Sequence, residues 1–319
     1  MVKKYVILAY SNDKTFNVPR QLMEINGEKL VARTIRLLKQ NGVRDIIITA
    51  KDKRFDELGV VRYECETNDF DYIKRTGYWL NAFPFELMNE PVCFIWGDVY
   101  FSEQAIKTIV ETETDQNLFF CSYNNENEKY IKHHDEPFAY KIVDTDLFKK
   151  HIEIVKKLYD EGKTCRHPIV WEVYRSMNGL DVNEHVMTNN FIAINDITCD
   201  IDSKDDIIRL REETKKMVKC KVIKKFSLEK FYELKNLVRA TGNNEEGHLY
   251  VGDTFECDEQ MAKYLNGENK YDDVFIEILE IVPEISDSDQ ATDVYLNDEP
   301  IKPNKKSSYK KKTSKKKVD

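Results

Sequence analysis

Residues 6–22, VILAYSNDKTFNVPRQL, join a short apolar run to a polar loop. The apolar run predicts a buried β-strand, and residues 28–42, which follow the loop, have the apolar spacing of an amphipathic helix. In a parallel sheet, a loop between the first strand and the first helix points backbone N–H groups at its ligand, which favours phosphate. The glycines that usually let such a loop approach phosphate are missing here. The stretch therefore predicts a strand, loop and helix unit with an unusual phosphate site.

The alternation of apolar strands and amphipathic helices continues through the first two thirds of the chain. Strands are predicted at residues 45–50, 60–65, 92–98, 117–123, 138–143 and 189–194. Helices are predicted at residues 102–112, 145–162 and 168–179, and after Ser203. A further helix is predicted at residues 71–87, interrupted by Gly77 and stopped near Pro84. A strand, a helix and a strand in close succession indicate parallel pairing. We therefore predict an α/β, Rossmann-like fold with a mostly parallel sheet, helices on both of its faces, and ligands bound beyond the carboxyl ends of the strands.

The pattern changes after residue 217, where short apolar segments surround turn signals such as Gly252-Asp253. Such segments are typical of a small β-rich module. We therefore predict three parts: residues 1–217 as an α/β domain, residues 218–283 as a β-rich module, and residues 284–319 as a linker with a disordered basic tail.

Composition narrows the classes of function. The 319-residue chain has a formal charge of −8, of which residues 302–319 contribute +8 through nine lysines and one aspartate, so the remainder carries −16. An acidic body argues against nucleic acid as the main substrate and leaves only non-specific contact by the basic tail. The seven cysteines form no CxxC pair, which predicts reduced thiols rather than disulfides or a zinc site. Apolar runs are too short for a membrane span or a signal peptide, so we expect a cytoplasmic protein without a membrane partner.

The opening stretch resembles the signature of the sugar-phosphate nucleotidyltransferases and cytidylyltransferases of the GT-A fold. That signature is an apolar strand with L-A-A-G-x-G-x-R, then P-K, and then a hydrophobic-x-G-x-P-L segment that leads into a helix. Residues 8–15, Pro19-Arg20 and residues 22–30 stand in those places, and the resemblance covers residues 3–216. It implies a nucleotide-binding loop formed by Ala9, Tyr10, Ser11, Asn12 and Asp13.

Two acidic motifs extend the resemblance. Trp96-Gly97-Asp98 ends a predicted strand in the manner of the family's metal-binding Gly-Asp, and residues 200–206, DIDSKDD, resemble the family segment D-I-D-T-P-E-D. The resemblance implies that Asp98 and Asp202 bind Mg²⁺, for which carboxylates are suitable hard ligands. An aspartate or serine before an apolar helix is also an ordinary N-cap, so a purely structural role for the second motif stays open.

The resemblance implies a reaction in which a substrate phosphate or phosphonate oxygen attacks the α-phosphorus of a nucleoside triphosphate and pyrophosphate leaves. Such transfer depends on positioning and on charge stabilisation by Mg²⁺ and cationic groups. Arg20 stands in the place of the family lysine, and Lys14 is a further candidate contact to phosphate; these two are the predicted catalytic residues.

Departures from the signature keep two alternatives open. Ser11 and Asp13 replace the loop glycines, and a carboxylate about 6 Å from a phosphate charge would cost about 3 kcal/mol at an effective dielectric of about 20. A nucleotide-sugar glycosyltransferase of the GT-A fold needs no such loop. A catalytically inactive binding or structural protein would tolerate its loss.

Three weaker assignments complete the prediction. Gly77 precedes the Gly-Asp strand in a region that often faces the nucleotide base in the family, and Arg166 falls where substrate-side helices lie. The segment containing Val251-Gly252-Asp253 resembles small proteins encoded in phage structural-gene clusters, which implies that residues 218–319 bind another protein, including a virion component. The expected small-molecule partners are a nucleoside triphosphate and a phosphorylated sugar or alcohol.

Overall fold

The structure is a computed structural model that describes residues 2–10, 18–65, 70, 76–122, 136–215, 217–227, 248–268 and 273–281. Two compact units emerge from the pattern of contacts. The first contains the described residues of Met1–Pro19 and Thr34–Cys199, and the second contains Arg20–Arg33 and the described residues that follow Cys199. Within the described residues, no helix combines the length and the apolar character needed to cross a bilayer.

The secondary-structure elements are numbered in chain order. The strands are β1 (Lys4–Leu8), β2 (Glu24–Ile25), β3 (Glu28–Lys29), β4 (Asp45–Thr49), β5 (Val61–Tyr63), β6 (Val92–Trp96), β7 (Val99–Tyr100), β8 (Leu118–Cys121), β9 (Pro137–Ile142), β10 (Phe191–Ala193), β11 (Cys199–Asp200), β12 (Met217–Val222), β13 (Phe226–Ser227), β14 (His248–Leu249), β15 (Thr254–Asp258) and β16 (Ile276–Ile281). The α-helices are α1 (Leu30–Gln40), α2 (Glu103–Glu111), α3 (Thr145–Asp160), α4 (Val170–Met177), α5 (Lys204–Glu213) and α6 (Glu259–Leu265).

The first unit is built on a seven-stranded sheet with the order β10-β8-β9-β6-β1-β4-β5. Its neighbouring strands run parallel except at β9, which is antiparallel to both β6 and β8. All five residues of β1 are buried, as expected for a strand that is covered on both faces. The predicted α/β class with a mostly parallel sheet is therefore confirmed.

Helices flank the sheet and enclose an aromatic core. Helix α2 begins at its N-cap Ser102, whose Oγ accepts a hydrogen bond from the backbone N–H of Ala105 at 2.8 Å. Phe94, Tyr140 and Phe148 are fully buried in one cluster with residues of α3 and α4. The predicted helices over residues 28–42, 102–112, 145–162 and 168–179 and the helix after Ser203 are all present.

The helix predicted for residues 71–87 was wrong for the part of that segment that the structure describes. Two short 3₁₀ helices, Trp79–Ala82 and Phe85–Leu87, stand there instead. Gly77 has a φ of 73°, in the left-handed region that ends helices. Pro84 has no N–H to donate and disfavours the α conformation at the residue before it, so a continuous helix cannot pass this point.

The second unit combines a tight hairpin with antiparallel strands. Strands β2 and β3 pair around Asn26-Gly27, whose φ values of 49° and 83° are those of the Asn-Gly hairpin turn. Strand β12 pairs with β15 on one side and β16 on the other, both antiparallel, and helix α6 follows β15. This sheet provides the small β-rich element expected near the C-terminus. The boundary at residue 217 stays a prediction, and residues 284–319 lie outside the described residues.

Candidate functional site

The carboxyl ends of the parallel strands bring two of the sequence motifs side by side in the first unit. Leu8, the last residue of β1, pairs with Thr49 of β4 and with Trp96 of β6. The backbone N–H of Ala9 donates to the carbonyl of Thr49 at 3.1 Å, and the N–H of Gly97 donates to the carbonyl of Leu8 at 2.9 Å. The loop after β1 and the Gly-Asp motif after β6 therefore begin at adjacent points of one sheet edge, where α/β folds bind their ligands.

Asp98 is held at this edge by the strand that precedes it. The first four residues of β6 are buried, Gly97 is buried, and Asp98 itself is half-buried. Both residues of β7, which follows directly, are buried as well. The backbone at Asp98 is therefore fixed on both sides by buried residues.

Tyr10 lies at the same edge of the sheet, and its side chain bonds to a residue on the side of β1 away from β6. Its hydroxyl donates to the carbonyl of Cys65, just beyond β5, at 2.5 Å. Burial raises the pKa of Tyr10 to about 12, so the phenol keeps its proton and remains a donor. Lys51 Nζ lies 5.8 Å from the centroid of the Tyr10 ring, within the range of a cation–π contact. The predicted loop residues Ser11, Asn12, Asp13 and Lys14 lie outside the described residues.

Lys51 was missed by the sequence analysis, although its position directly after the strand predicted at residues 45–50 was a usable signal. Residues directly beyond the carboxyl ends of parallel strands are the ones that face ligands. Lys51 is therefore an additional cation at this edge.

Gly77 lies in a segment rich in aromatic residues. Two residues later, Trp79 begins a 3₁₀ helix, and its ring packs against that of Trp96 with centroids 4.8 Å apart. Trp96 immediately precedes Gly97, and its Nε1 donates to the hydroxyl of the buried Tyr140 at 2.5 Å. The structure thus places Gly77 near the aromatic side of the Gly-Asp strand, and its predicted role in nucleotide binding stays a prediction.

Arg20 and Asp202 meet in the second unit. Arg20 Nη1 donates to Asp202 Oδ1 at 2.7 Å and to the carbonyl of Ile201 at 2.6 Å. The Arg20 side chain is 17% exposed, whereas that of Asp202 is 70% exposed. The structure therefore brings a predicted phosphate ligand and a predicted metal ligand into one ion pair.

The N-cap of α5 settles which residue performs the structural role in the second acidic motif. Ser203 is the N-cap, and its Oγ accepts from the backbone N–H of Asp206. Asp206 Oδ2 in turn accepts from the backbone N–H of Ser203 at 2.8 Å, which completes a capping box. Because Ser203 caps the helix, the carboxylate of Asp202 is not the capping group.

Gln21 is the second residue that the sequence analysis missed. It follows Arg20 in a short 3₁₀ helix, and its side chain is completely buried. Neither its Oε1 nor its Nε2 has a hydrogen-bond partner among the described residues. A buried amide without partners costs about 1–3 kcal/mol, which makes Gln21 a candidate for hydrogen bonding to a ligand or to water. The available signal was a polar residue directly beside a predicted phosphate ligand.

Arg166 belongs to an ion-pair cluster in the first unit. Its Nε donates to Glu172 Oε1 at 2.8 Å, and Glu172, whose side chain is 2% exposed, also lies 3.4 Å from Arg175 Nη1. Glu172 Oε2 accepts from the backbone N–H of Ile169 at 2.8 Å. The Arg166 side chain is 39% exposed, so one edge of the guanidinium is fixed by a buried carboxylate while the group still reaches solvent.

The carboxylates fit the chemistry of Mg²⁺. Among the described residues there is no group of three or more His, Cys, Asp or Glu side chains that could hold a metal by themselves. Mg²⁺ commonly binds through one or two carboxylates and takes its other ligands from substrate phosphates and water. Asp98 in the first unit and Asp202 in the second each offer one carboxylate, and each by itself has the chemistry of a Mg²⁺ ligand.

Fold and side chains together define a mixed α/β protein with a candidate ligand site beyond the carboxyl ends of its parallel strands. No protein-family model and no curated protein matches the sequence. Similar folds occur among solved structures, at low identity. A Bacillus anthracis protein assigned as a glucose-1-phosphate thymidylyltransferase, solved with sucrose, is 15% identical with a TM-score of 0.43, and the match covers 66% of this chain and 94% of that chain.

Two further structures are comparable. The CTP:phosphocholine cytidylyltransferase from Streptococcus pneumoniae is 19% identical with a TM-score of 0.39, over 66% of this chain and 97% of that chain. The inositol-1-phosphate CTP transferase from T. maritima is 16% identical with a TM-score of 0.40, over 66% of this chain and 95% of that chain. Likenesses of this size carry no conclusion about activity.

Proposed function

We propose that the chain is a Mg²⁺-dependent nucleotidyltransferase that joins a nucleoside triphosphate to a sugar phosphate or a phosphorylated alcohol and releases pyrophosphate. The observation that carries the proposal is the placement of Asp98. A half-buried carboxylate stands at the end of β6, and its neighbour Gly97 is hydrogen-bonded to the residue from which the loop after β1 departs. That arrangement supports the proposal, because a carboxylate suited to Mg²⁺ would then lie beside a loop position suited to phosphate.

The proposed roles follow from charge and position. Asp98 and Asp202 are each proposed as a Mg²⁺ ligand, and the metal would neutralise charge on the phosphates when bound. Arg20 and Lys14 are proposed phosphate contacts, with Lys51 as an additional cation near the loop. The backbone of Ala9 and Tyr10, the following residues 11–13 and Gly77 are proposed to line the nucleotide. The buried amide of Gln21 has no hydrogen-bond partner among the described residues, and it is proposed to form hydrogen bonds with the bound nucleotide.

Arg166 is proposed to bind the phosphate of the acceptor. A guanidinium presents several donors in a planar fork that suits phosphate, and Glu172 uses only its Nε edge. Glu172 would then be a positioning residue, because it fixes the arginine without reaching the solvent itself. This arrangement favours an acceptor that carries a phosphate over one that is neutral.

The direct test measures pyrophosphate release by the full-length chain. Each of the common nucleoside triphosphates would be paired with a panel of phosphorylated sugars and alcohols, with and without MgCl₂, and products identified by mass spectrometry. One pair should give metal-dependent pyrophosphate release, and Asp98→Asn should lower kcat/KM by about 100-fold, since lost metal stabilisation is worth several kcal/mol. Asp115→Asn, at an exposed acidic residue beyond α2, is the matched control and should have no effect.

Other outcomes decide the two alternatives from the sequence. Transfer of a sugar from a nucleotide-sugar, without use of a triphosphate, would identify a glycosyltransferase and overturn the proposal. A folded chain that shows no turnover and no melting shift with any nucleotide would overturn the proposal and favour a catalytically inactive binding or structural protein whose loop no longer binds phosphate. The proposed binding of a phage protein by residues 218–319 stays a separate prediction, to be tested by co-purification of that module with virion components.

A further inference from the structure

The Arg20–Asp202 ion pair joins two residues for which the proposed function assigns different ligands. Arg20 is proposed to contact phosphate, and Asp202 is proposed to bind Mg²⁺, yet Arg20 Nη1 lies 2.7 Å from Asp202 Oδ1. A carboxylate oxygen that accepts a charge-assisted hydrogen bond from a guanidinium is a poorer ligand for a second cation. The ligand-free chain therefore holds each of these residues away from its proposed ligand.

The exposure of the two side chains shows which part of the pair can exchange. Asp202 is 70% exposed, so water and metal ions reach its carboxylate directly. An ion pair with a partner this exposed contributes little to folding stability, and its loss is therefore tolerable to the fold. The flanking backbone is fixed independently, since Asp206 accepts hydrogen bonds from the backbone N–H groups of both Asp202 and Ser203.

Arg20, the other member of the pair, is held more firmly than Asp202. Its side chain is only 17% exposed, and the same Nη1 that binds Asp202 also donates to the carbonyl of Ile201 at 2.6 Å. A guanidinium keeps several donors in one plane, so it can leave a carboxylate for a phosphate with little change in its stem. Exchange between two anionic partners is therefore a local movement of the guanidinium.

Gln21 supplies an independent indication that a ligand belongs beside Arg20. Its amide is fully buried, and neither polar atom has a partner among the described residues. Native structures rarely leave both ends of a buried amide unpaired. The Arg20–Gln21 dipeptide thus combines a cation paired with an exposed carboxylate and an amide that has no hydrogen-bond partner among the described residues.

We infer that Arg20 is an internal counter-ion that couples the binding of Mg²⁺ to that of the triphosphate. In the ligand-free chain the guanidinium of Arg20 is paired with the carboxylate of Asp202. When both ligands bind, Mg²⁺ would bind that carboxylate and Arg20 would contact the phosphates instead. Mg²⁺ alone must compete with the guanidinium, and a triphosphate alone must draw Arg20 away from Asp202. Each ligand removes the obstacle to the other, which is positive coupling between two sites. The inference rests on the proposed function and specifies how its two ligands depend on each other.

The test measures affinities rather than turnover, in the full-length chain. MgCl₂ alone, and inorganic tripolyphosphate as a probe without a base, would each be titrated by calorimetry and then titrated in the presence of the other, with matched titrations without protein to correct for the complex that the two form in solution. For the wild-type chain, tripolyphosphate should tighten Mg²⁺ binding by about 10-fold or more, within the usual range of coupling between sites. Arg20→Gln should bind Mg²⁺ alone about 10-fold more tightly than wild type and should lose most of the coupling.

Two further variants keep the result interpretable. Arg209→Gln removes one positive charge near Asp206, on the same helix, and should leave both the affinity for Mg²⁺ alone and the coupling near their wild-type values. Arg20→Lys keeps the charge with a different geometry, so it should fall between wild type and Arg20→Gln; it also serves if the glutamine variant does not fold, as judged by its melting curve.

The possible failures separate the inference from the proposed function. If Arg20→Gln and Arg209→Gln shift the affinity for Mg²⁺ alone equally, or if coupling survives in Arg20→Gln, the counter-ion inference is overturned and the proposed function stands. If the wild-type chain binds Mg²⁺ but neither tripolyphosphate nor any nucleoside triphosphate, the proposed function is overturned as well.

Discussion

Two arginine–carboxylate pairs in this chain are built in opposite ways. In Arg20–Asp202 the arginine side chain is 17% exposed and the carboxylate 70% exposed, whereas in Arg166–Glu172 the carboxylate is 2% exposed and the arginine 39% exposed. The N···O distances are nearly equal, 2.7 Å and 2.8 Å. The first pair therefore presents mainly its carboxylate to solvent, and the second mainly its guanidinium. Distance alone does not reveal this difference, because burial decides which partner the fold fixes.

The largest expected effect comes from breaking the pair with the buried carboxylate. Glu172→Gln should lower the free energy of unfolding by about 3 kcal/mol, because Arg175 would keep its buried charge and its hydrogen bond to the Val182 carbonyl but lose the charge of Glu172. Urea unfolding of the full-length chain measures the change. Glu153→Gln is the control, since Glu153 pairs with Lys156 at the surface and should cost less than about 1 kcal/mol. Equal small changes in both variants would show that burial does not distinguish the pairs.

The second prediction concerns Gln21, which follows Arg20 in the chain. Its amide is buried and has no hydrogen-bond partner among the described residues. Gln21→Met keeps length and flexibility while removing both polar atoms, so it should raise the free energy of unfolding by about 1–2 kcal/mol. The same variant should reduce the melting shift produced by a bound nucleotide. Gln104→Met changes an exposed glutamine whose amide donates to Thr108 and serves as the control. A destabilised Gln21→Met chain would mean that the amide already has its partners.

The exposed arginine of the second pair should affect binding rather than folding. Arg166→Gln is expected to raise KM for the phosphorylated acceptor by about 10-fold with a smaller change in kcat, the pattern of a lost binding contact. Its free energy of unfolding should change by less than about 1 kcal/mol. Steady-state kinetics across acceptor concentrations tests this, with Arg54→Gln as an exposed, ion-paired control. An unchanged KM would remove Arg166 from the acceptor site.

The smallest expected effect concerns the hydroxyl of Tyr10, which makes a hydrogen bond between two neutral groups. The stability contributed by this bond can be compared with that of the two ion pairs. Tyr10→Phe removes the bond to the Cys65 carbonyl and should cost about 1 kcal/mol at neutral pH. The pKa of Tyr10 is raised from its ordinary value of 10 to about 12, so the folded chain keeps a proton that the unfolded chain releases between these values. Stability from this group is therefore complete below pH 10 and is lost as the pH rises to about 12.

Unfolding measured at about pH 8 and about pH 11 checks the sign. The difference between the wild-type chain and Tyr10→Phe should narrow at the higher pH. A difference that widened would contradict the raised pKa.

Local patterns were enough to predict most elements of the sheet. Apolar runs marked β1, β4 and β6, and helical spacing marked α1, because these elements are stabilised by hydrogen bonds and burial that recur along the sequence. The failure at residues 71–87 has a local cause too, since Gly77 and Pro84 outweighed the apolar spacing. That β9 enters the sheet antiparallel between β6 and β8 was not predictable from spacing, because strand order depends on residues that are distant in sequence.

The sequence by itself determined the α/β class, the position of Asp98 at a strand end, and a cap before α5, since each follows from short-range periodicity and from backbone chemistry. Only the tertiary structure decided that Ser203 is the cap and Asp202 is not, that Glu172 is buried, and that the buried Gln21 side chain has no hydrogen-bond partner among the described residues. Arg20 and Asp202 are 182 residues apart in the chain and 2.7 Å apart in space. Burial and ion pairing are properties of such distant neighbours, and no local pattern contains them.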